Sequence, residues 1–312
     1  MKYFILLIFF YFTTNAQVTY TKTAKINNLH TKKYDSLRNY LEKDVLLYKG
    51  QTLILKQRRE SERKRGYKNF LKYFGGSILE VDHIYMLDLK NFSSNYDSLV
   101  NKSFFVHNVF ASENRDNIYY LELVNLYNKD TLYYYYNTGS DLLFNFVVEG
   151  YYKKMKKMYC GKKYYIFDIA FLDSISIDTG EKIDLYNNEV WNIEDITIDE
   201  IYSTECFIVS NIKGYKTLVP VEYFNSKNEK KSLSIEEYVL LKSKFGLNKV
   251  NDIIDNKVSI GMTKELCMMS WGAPQSESES ISENLGKLSI WYYPNNTLTF
   301  LNGILKDIST TK

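Results

Sequence analysis

The chain has 312 residues, with 40 Lys plus Arg against 37 Asp plus Glu and a formal net charge of +3, which excludes bulk charge as a reason to expect a nucleic-acid partner. The length suits two or three domains with ordinary cores. Three cysteines, Cys160, Cys206 and Cys267, exclude a disulfide framework and leave room for one internal bridge, for which Cys160–Cys206 is the candidate pair; the alternative is three thiols buried as small apolar groups.

Residues 1–16 begin with one charge at Lys2, continue as an apolar run from Tyr3 to Phe12 and close on Thr14-Asn15-Ala16. This is the layout of a secretory signal peptide, because an apolar run of roughly 10 residues is about half of what a membrane-spanning helix needs. Export is therefore expected, to the periplasm or the periphery of the outer membrane, with secretion as the alternative. Gln17 follows the boundary, so no cysteine there invites a lipid, and no later segment is apolar enough to span a membrane.

Residues 17–232 read as a β-rich region, because runs of Ile, Val, Tyr and Phe alternate with clusters of Asn, Asp, Gly and Lys. Three segments share an amphipathic stretch, a Gly or Asn turn and an apolar strand: NYLEKDVLLYKGQTLIL (39–55), NYDSLVNKSFFVHNV (95–109) and YYKKMKKMYCGKKYYIFDI (151–169). Their recurrence suggests tandem small modules built from one supersecondary unit. SNIKGYKTLVPVEYF (210–224) reads as a hairpin ending in an edge strand, where Pro220 removes no ladder bond. Tyr (29) and Phe (18) are numerous and Lys outnumbers Arg, which reads as a compositional bias of the coding sequence rather than a purposeful aromatic surface.

Within this region KQRRESERKRGYKNFLKYFGG (56–76) is the most charged stretch. Arg58, Arg59, Arg63, Lys64, Arg65 and Lys68 could contact an anionic lipid or glycan surface if Tyr67, Phe70, Leu71 and Phe74 formed the apolar side of one helix. The same residues also read as a solvated face laced by Glu60–Lys64 and Arg58–Glu62 pairs. Asp178-Thr179-Gly180 matches the triplet in which aspartic proteases place a catalytic carboxylate, but a second copy is missing and a hairpin turn explains the triplet equally. His30, His83 and His107 have no metal-ligand spacing with the cysteines, so no metal or other cofactor is expected.

The pattern becomes helical near residue 234. Ser234 and Glu237 form a capping box ahead of Tyr238, Leu241 and Phe245, Gly246 ends that helix, and a second piece is predicted over 248–255. In VSIGMTKELCMMSWGAP (258–274), Thr263 caps a third helix, Met262 staples onto Cys267, Gly272 supplies the stop and Pro274 forbids continuation. A polar serine-rich loop, 275–287, is expected next, then three strands in which Asn302-Gly303 is a two-residue hairpin turn pairing Phe300 with Leu305.

Gly261-Met262-Thr263-Lys264-Glu265, Trp271-Gly272-Ala273-Pro274, Trp291-Tyr292-Tyr293, Leu298-Thr299-Phe300 and Asn302-Gly303-Ile304-Leu305 together resemble the SmpA/OmlA, or BamE-like, family of outer-membrane assembly domains. The resemblance covers 233–312 and implies an α+β domain of two helices on a three-stranded antiparallel sheet. It further implies a non-catalytic, periplasm-facing scaffold that binds envelope proteins and sometimes lipid. Founding members are small lipoproteins, whereas this chain lacks the acceptor cysteine and carries a long region in front. The residues that match, Gly261, Met262, Thr263, Gly272, Pro274, Trp291, Asn302 and Gly303, are mostly those that make the fold. The expectation is thus a mainly β region followed by an α+β domain, acting by protein binding; the alternatives are an envelope or surface hydrolase with its site in the β-rich region and an anionic lipid- or glycan-binding module.

Overall fold

The computed structural model describes residues 33–113, 115–139, 144–167, 169, 174–201, 204–226, 231–282 and 286–310. The expected signal peptide, 1–16, and His30 lie outside them. A 3-10 helix at Glu42–Tyr48 leads to β1 (Thr52–Leu55), then α1 (Glu60–Arg63), β2 (Phe70–Leu71), β3 (Leu87–Asp88), β4 (Ser93–Ser94) and α2 (Tyr96–Leu99). Next come β5 (Ser103–Ala111), β6 (Ile118–Asn125), β7 (Thr131–Asn137), β8 (Phe146–Val148), α3 (Glu149–Tyr159) and β9 (Lys163–Ile166). They are followed by β10 (Val190–Asp199), β11 (Thr204–Asn211), β12 (Lys216–Pro220), α4 (Glu222–Asn225) and β13 (Ser232–Ser234). The last part comprises α5 (Ile235–Phe245), α6 (Leu247–Ile254), α7 (Lys264–Trp271), β14 (Ser276–Ser282), β15 (Gly286–Tyr292), β16 (Asn296–Leu301) and β17 (Ile304–Thr310). The protein is mainly β, as its composition of short β-branched and aromatic runs requires.

Three antiparallel sheets carry the structure, ordered β2-β7-β6-β5-β1-β8, β12-β11-β10-β9-β13 and β14-β15-β16-β17, beside the small β3-β4 pair. The three similar sequence segments are locally alike. In each, a short helix stops at a residue with positive φ, Gly50 (81°), Asn101 (60°) or Gly161 (80°), and the chain leaves as a strand. Gly and Asn tolerate that left-handed conformation, so the turn residues dictate the shared unit. The units do not build separate modules, because β1 and β5 pair within the first sheet while β9 belongs to the second. One core cluster spans both sheets, with Phe104, Leu121, Tyr134 and Phe146 from the first and Trp191, Ile193 and Phe207 from the second. The 210–224 hairpin is present, and β12, with Pro220 at its end, is an edge strand.

Downstream, Thr263 accepts from Leu266 N and caps α7, Gly272 (φ 77°) ends it, and Asn302 (φ 50°) and Gly303 (φ 79°) make the β16–β17 turn that pairs Phe300 with Leu305. The motif residues also meet one another. Gly261 N donates to Leu305 O (2.9 Å), Leu305 N to Met262 O (2.8 Å) and Lys264 N to Gly303 O (3.1 Å), so the segment entering α7 is strapped along the last hairpin. Met262, Leu266, Cys267, Trp291, Leu298 and Phe300 are buried in one cluster.

Two expectations for this part are corrected. The three helical pieces read from the sequence are all present, one more than the resemblance implies, and the sheet has four strands rather than three because 276–282 is strand β14 rather than part of a loop. Ser and Glu alternate there without an apolar face, which hides an edge strand whose order comes from pairing with β15. The expected boundary at 233 falls inside β13, which pairs with β9 of the preceding sheet, and Phe167 joins the cluster of Met262 and Trp291. Residues 34–312 form one compact unit.

Candidate functional site

The basic segment is split between interior and surface. Arg58 and Arg59 keep only 5% and 4% exposure, which removes them from any surface role. Arg59 Nη2 meets Asp199 Oδ2 at 2.6 Å, and Arg58 pairs with Glu200, donates to Gly66 O (2.5 Å) and lies 3.9 Å from the Tyr67 ring centre. Burial raises the Glu200 carboxyl to about 7, against the opposing pull of Arg58, and Glu62 adds to the rise. Arg63 donates to the carbonyls of Arg58 and Ile177, while Lys64, Arg65 and Lys68 remain exposed. The amphipathic helix expected over 56–74 is corrected as well. Only Glu60–Arg63 is helical, and Tyr67 and Phe70 are core residues, Phe70 in a strand. The Glu60–Lys64 pair forms at 3.3 Å, whereas Glu62 pairs with Arg65.

Asp178 occupies a tight turn. Ile175 and Lys182 bridge antiparallel across it, Gly180 N donates to Ser176 O, and Gly180 has φ 72°. Its carboxylate lies 3.4 Å from Arg63 and 3.8 Å from Lys216, which makes it a surface ion-pair member. All three cysteines are free. Burial pushes the Cys160 thiol up to about 11 and Cys267 to about 12, and holds Cys206 well above its ordinary value, so none is a ready nucleophile. His107 pairs with Glu122 and His83 with Glu80, and among the described residues no cluster of three metal-ligating side chains occurs.

Two β-bulges re-aim polar residues away from the core. In β10 the register shifts between Ile193 and Asp195, so Ile193 and Ile196 both face the core while Glu194 and Asp195 turn together into a cleft of about 480 Å³. There Lys56 holds Asp195 at 2.5 Å and Lys216 holds Glu194 at 2.8 Å. Burial raises the Glu194 carboxyl, but hydrogen bonds from Lys216 and Ser210 outweigh it and leave the group below its usual range. An ionised, paired carboxylate is unsuited to donate a proton near neutrality.

The second bulge lies in β5, where Val106 and Val109 face the core and the intervening His107 and Asn108 do not. Beside it the other face of the first sheet is strongly aromatic. Cross-strand neighbours Phe110, Tyr120 and Tyr135 run across β5, β6 and β7, and Tyr133 stands opposite Glu122. Phe74 lies over them with ring-centre distances of 4.9 Å to Phe110, 5.3 Å to Tyr120 and 5.7 Å to Tyr133. It remains 50% exposed, and Phe105 on the same side of β5 is 37% exposed. Burial raises the Tyr120 and Tyr133 phenols, so both are neutral hydrogen-bonding tips on an aromatic face that also carries Glu122. Composition alone makes this aromatic content look like coding bias. The signal that could have found the face is the period-2 placement of Tyr133 and Tyr135 opposite buried Leu132, Tyr134 and Tyr136.

The chain matches no family model, no curated protein and no solved structure. No helix among the described residues is long and apolar enough to cross a membrane.

Proposed function

We propose that this is an exported, non-catalytic envelope protein that works by binding a protein partner, through the aromatic face of its six-stranded sheet. The observation that carries the reading is the half-exposed Phe74 resting on Phe110, Tyr120 and Tyr133, on the sheet face that also carries exposed Phe105 beyond the His107–Glu122 pair. Rigid aromatic rings bury much area while losing few rotors, and Phe and Tyr are enriched where protein interfaces exclude water. An exposed aromatic cluster rimmed by polar groups, here His107, Asn108 and Glu122, is the pattern of an interaction site. Export rests on the pattern of residues 1–16. The BamE-like reading of 233–312 rests on the motif residues and is supported by their strapping of α7 to the last hairpin.

Affinity capture from crosslinked bacterial envelopes tests the proposal. The parent chain is expected to retain envelope-assembly proteins, and the Phe74→Asp, Phe105→Asp double variant to lose them while melting at the same temperature. Equal capture by both chains would remove the aromatic face from the function.

A further inference from the structure

A recess of about 510 Å³ lies where α3, β9, α4 and the start of α5 converge, far in sequence from the aromatic sheet face and independent of it. Its size is that of small-ligand sites. Three rings line it, Tyr159 from the end of α3, Tyr164 from β9 and Phe224 from α4. Tyr159 and Tyr164 are 6.4 Å apart between ring centres, Tyr159 and Phe224 6.0 Å, and Tyr164 and Phe224 5.2 Å. The interplanar angles are 42°, 68° and 89°, so the rings are tilted against one another and none is stacked on its neighbour.

The charge around the rings is acidic. Glu236 and Glu237, in the first turn of α5, line the recess against Lys162. Glu237 is accounted for by the capping box, since it accepts from Ser234 N at 2.8 Å. Glu236 is exposed and makes no ion pair among the described residues, so the fold does not need its charge. Both carboxylates act on the phenol of Tyr164, which burial chiefly, then Tyr159 and the two glutamates, push up to about 12. The phenols therefore stay neutral, and the partly exposed Tyr159 ring keeps the negative π-face that attracts cations.

A recess of tilted aromatic rings whose rim carries two carboxylates against one lysine is net acidic, which disfavours anions and gives a neutral apolar ligand nothing for the carboxylates to do. We propose that it binds an alkylammonium group, the cation resting against the partly exposed Tyr159, above a floor of nearly buried Tyr164 and Phe224, and paired with Glu236. The same chemistry is presented by a lysine side chain and by a free quaternary amine.

Calorimetric titration of the full chain distinguishes the sources. Choline and Nα-acetyl-lysine methylamide are the probes, and 3,3-dimethylbutanol, the uncharged carbon analogue of choline, is the control. At least one cation is expected to bind saturably and about tenfold tighter than the control, with a tighter lysine amide pointing to a peptide and tighter choline to a small amine. Glu236→Gln, on an exposed helical turn, should weaken that binding about fivefold without lowering the melting temperature, and Tyr159→Leu should weaken it further. Absence of saturable binding by both cations, equal binding of the uncharged analogue, or affinity unchanged in Glu236→Gln would overturn the proposal.

Discussion

Arg59 and Asp199 are 140 positions apart in sequence, yet their side chains meet at 2.6 Å with 4% and 1% exposure. Removing one member of such a pair strands the other charge away from water. Arg59→Leu is accordingly expected to lower stability by about 3–5 kcal/mol, whereas Lys64→Ala, at 82% exposure, should stay within about 0.5 kcal/mol. Urea unfolding of the two variants makes the comparison, and a mild Arg59→Leu would mean that the pair is not buried in solution. Two carboxyls give opposite pH signatures. Hydrogen bonds from Lys287, Lys264 and Ser289 hold Glu279 at about 2, so its contribution is full above the unfolded value near 4.5 and is lost as pH falls from there toward 2. Glu279→Gln should flatten that part of the acid unfolding curve. Burial raises Glu205 to about 7, with Glu222 adding to it, so the folded state binds the extra proton and stability falls as pH rises from 4.5 through 7. Glu205→Gln should therefore stabilise at pH 8 by as much as ~3 kcal/mol and change little at pH 4. A melting-temperature series against pH reads both effects, and parallel curves for parent and variants would refute the assignments.

At the scale of elements, what is legible in the sequence is what neighbouring residues decide. The Ser234–Glu237 capping box, the Thr263 cap, the Gly272 stop and the Asn302-Gly303 turn each depend on a few adjacent positions, and all are present. A Cβ added at Gly303 would meet no heavy atom within 4 Å, so Gly303→Val acts through its φ of 79° alone. The expected loss is about 1–3 kcal/mol, measured by chemical unfolding, and a variant as stable as the parent would mean that the turn relaxes to another type. Elements stabilised by distant partners are not legible. Strand β14 has no apolar alternation, and its order depends on pairing with β15, including Glu277 Oε2 accepting from Trp291 Nε1 at 2.9 Å. The bulges in β5 and β10 are equally hidden, because an inserted residue shows only when the facing strand is known. The basic segment misleads for the same reason: the partners of Arg58 and Arg59, Glu200 and Asp199, lie far away in sequence, at and just beyond the end of β10.

For the whole molecule, the β-rich character follows from composition and turn spacing, while the joining of the two larger sheets around one core, and of β13 to β9, follows from packing that no local pattern announces. The candidate site shares that origin. Phe74, Phe110, Tyr120 and Tyr133 come from four segments and meet only when β5, β6 and β7 align, with Phe105 on the same face beyond Glu122. The central claim is that this surface meets a protein partner. Site-specific photocrosslinking in the producing cell tests it most directly, with benzoylphenylalanine in place of Phe74 or Phe105 and, as a control, in place of fully exposed Ile212. Discrete protein adducts from positions 74 and 105 and none from 212 are the predicted result; adducts absent from both face positions, or the same at all three, would contradict it.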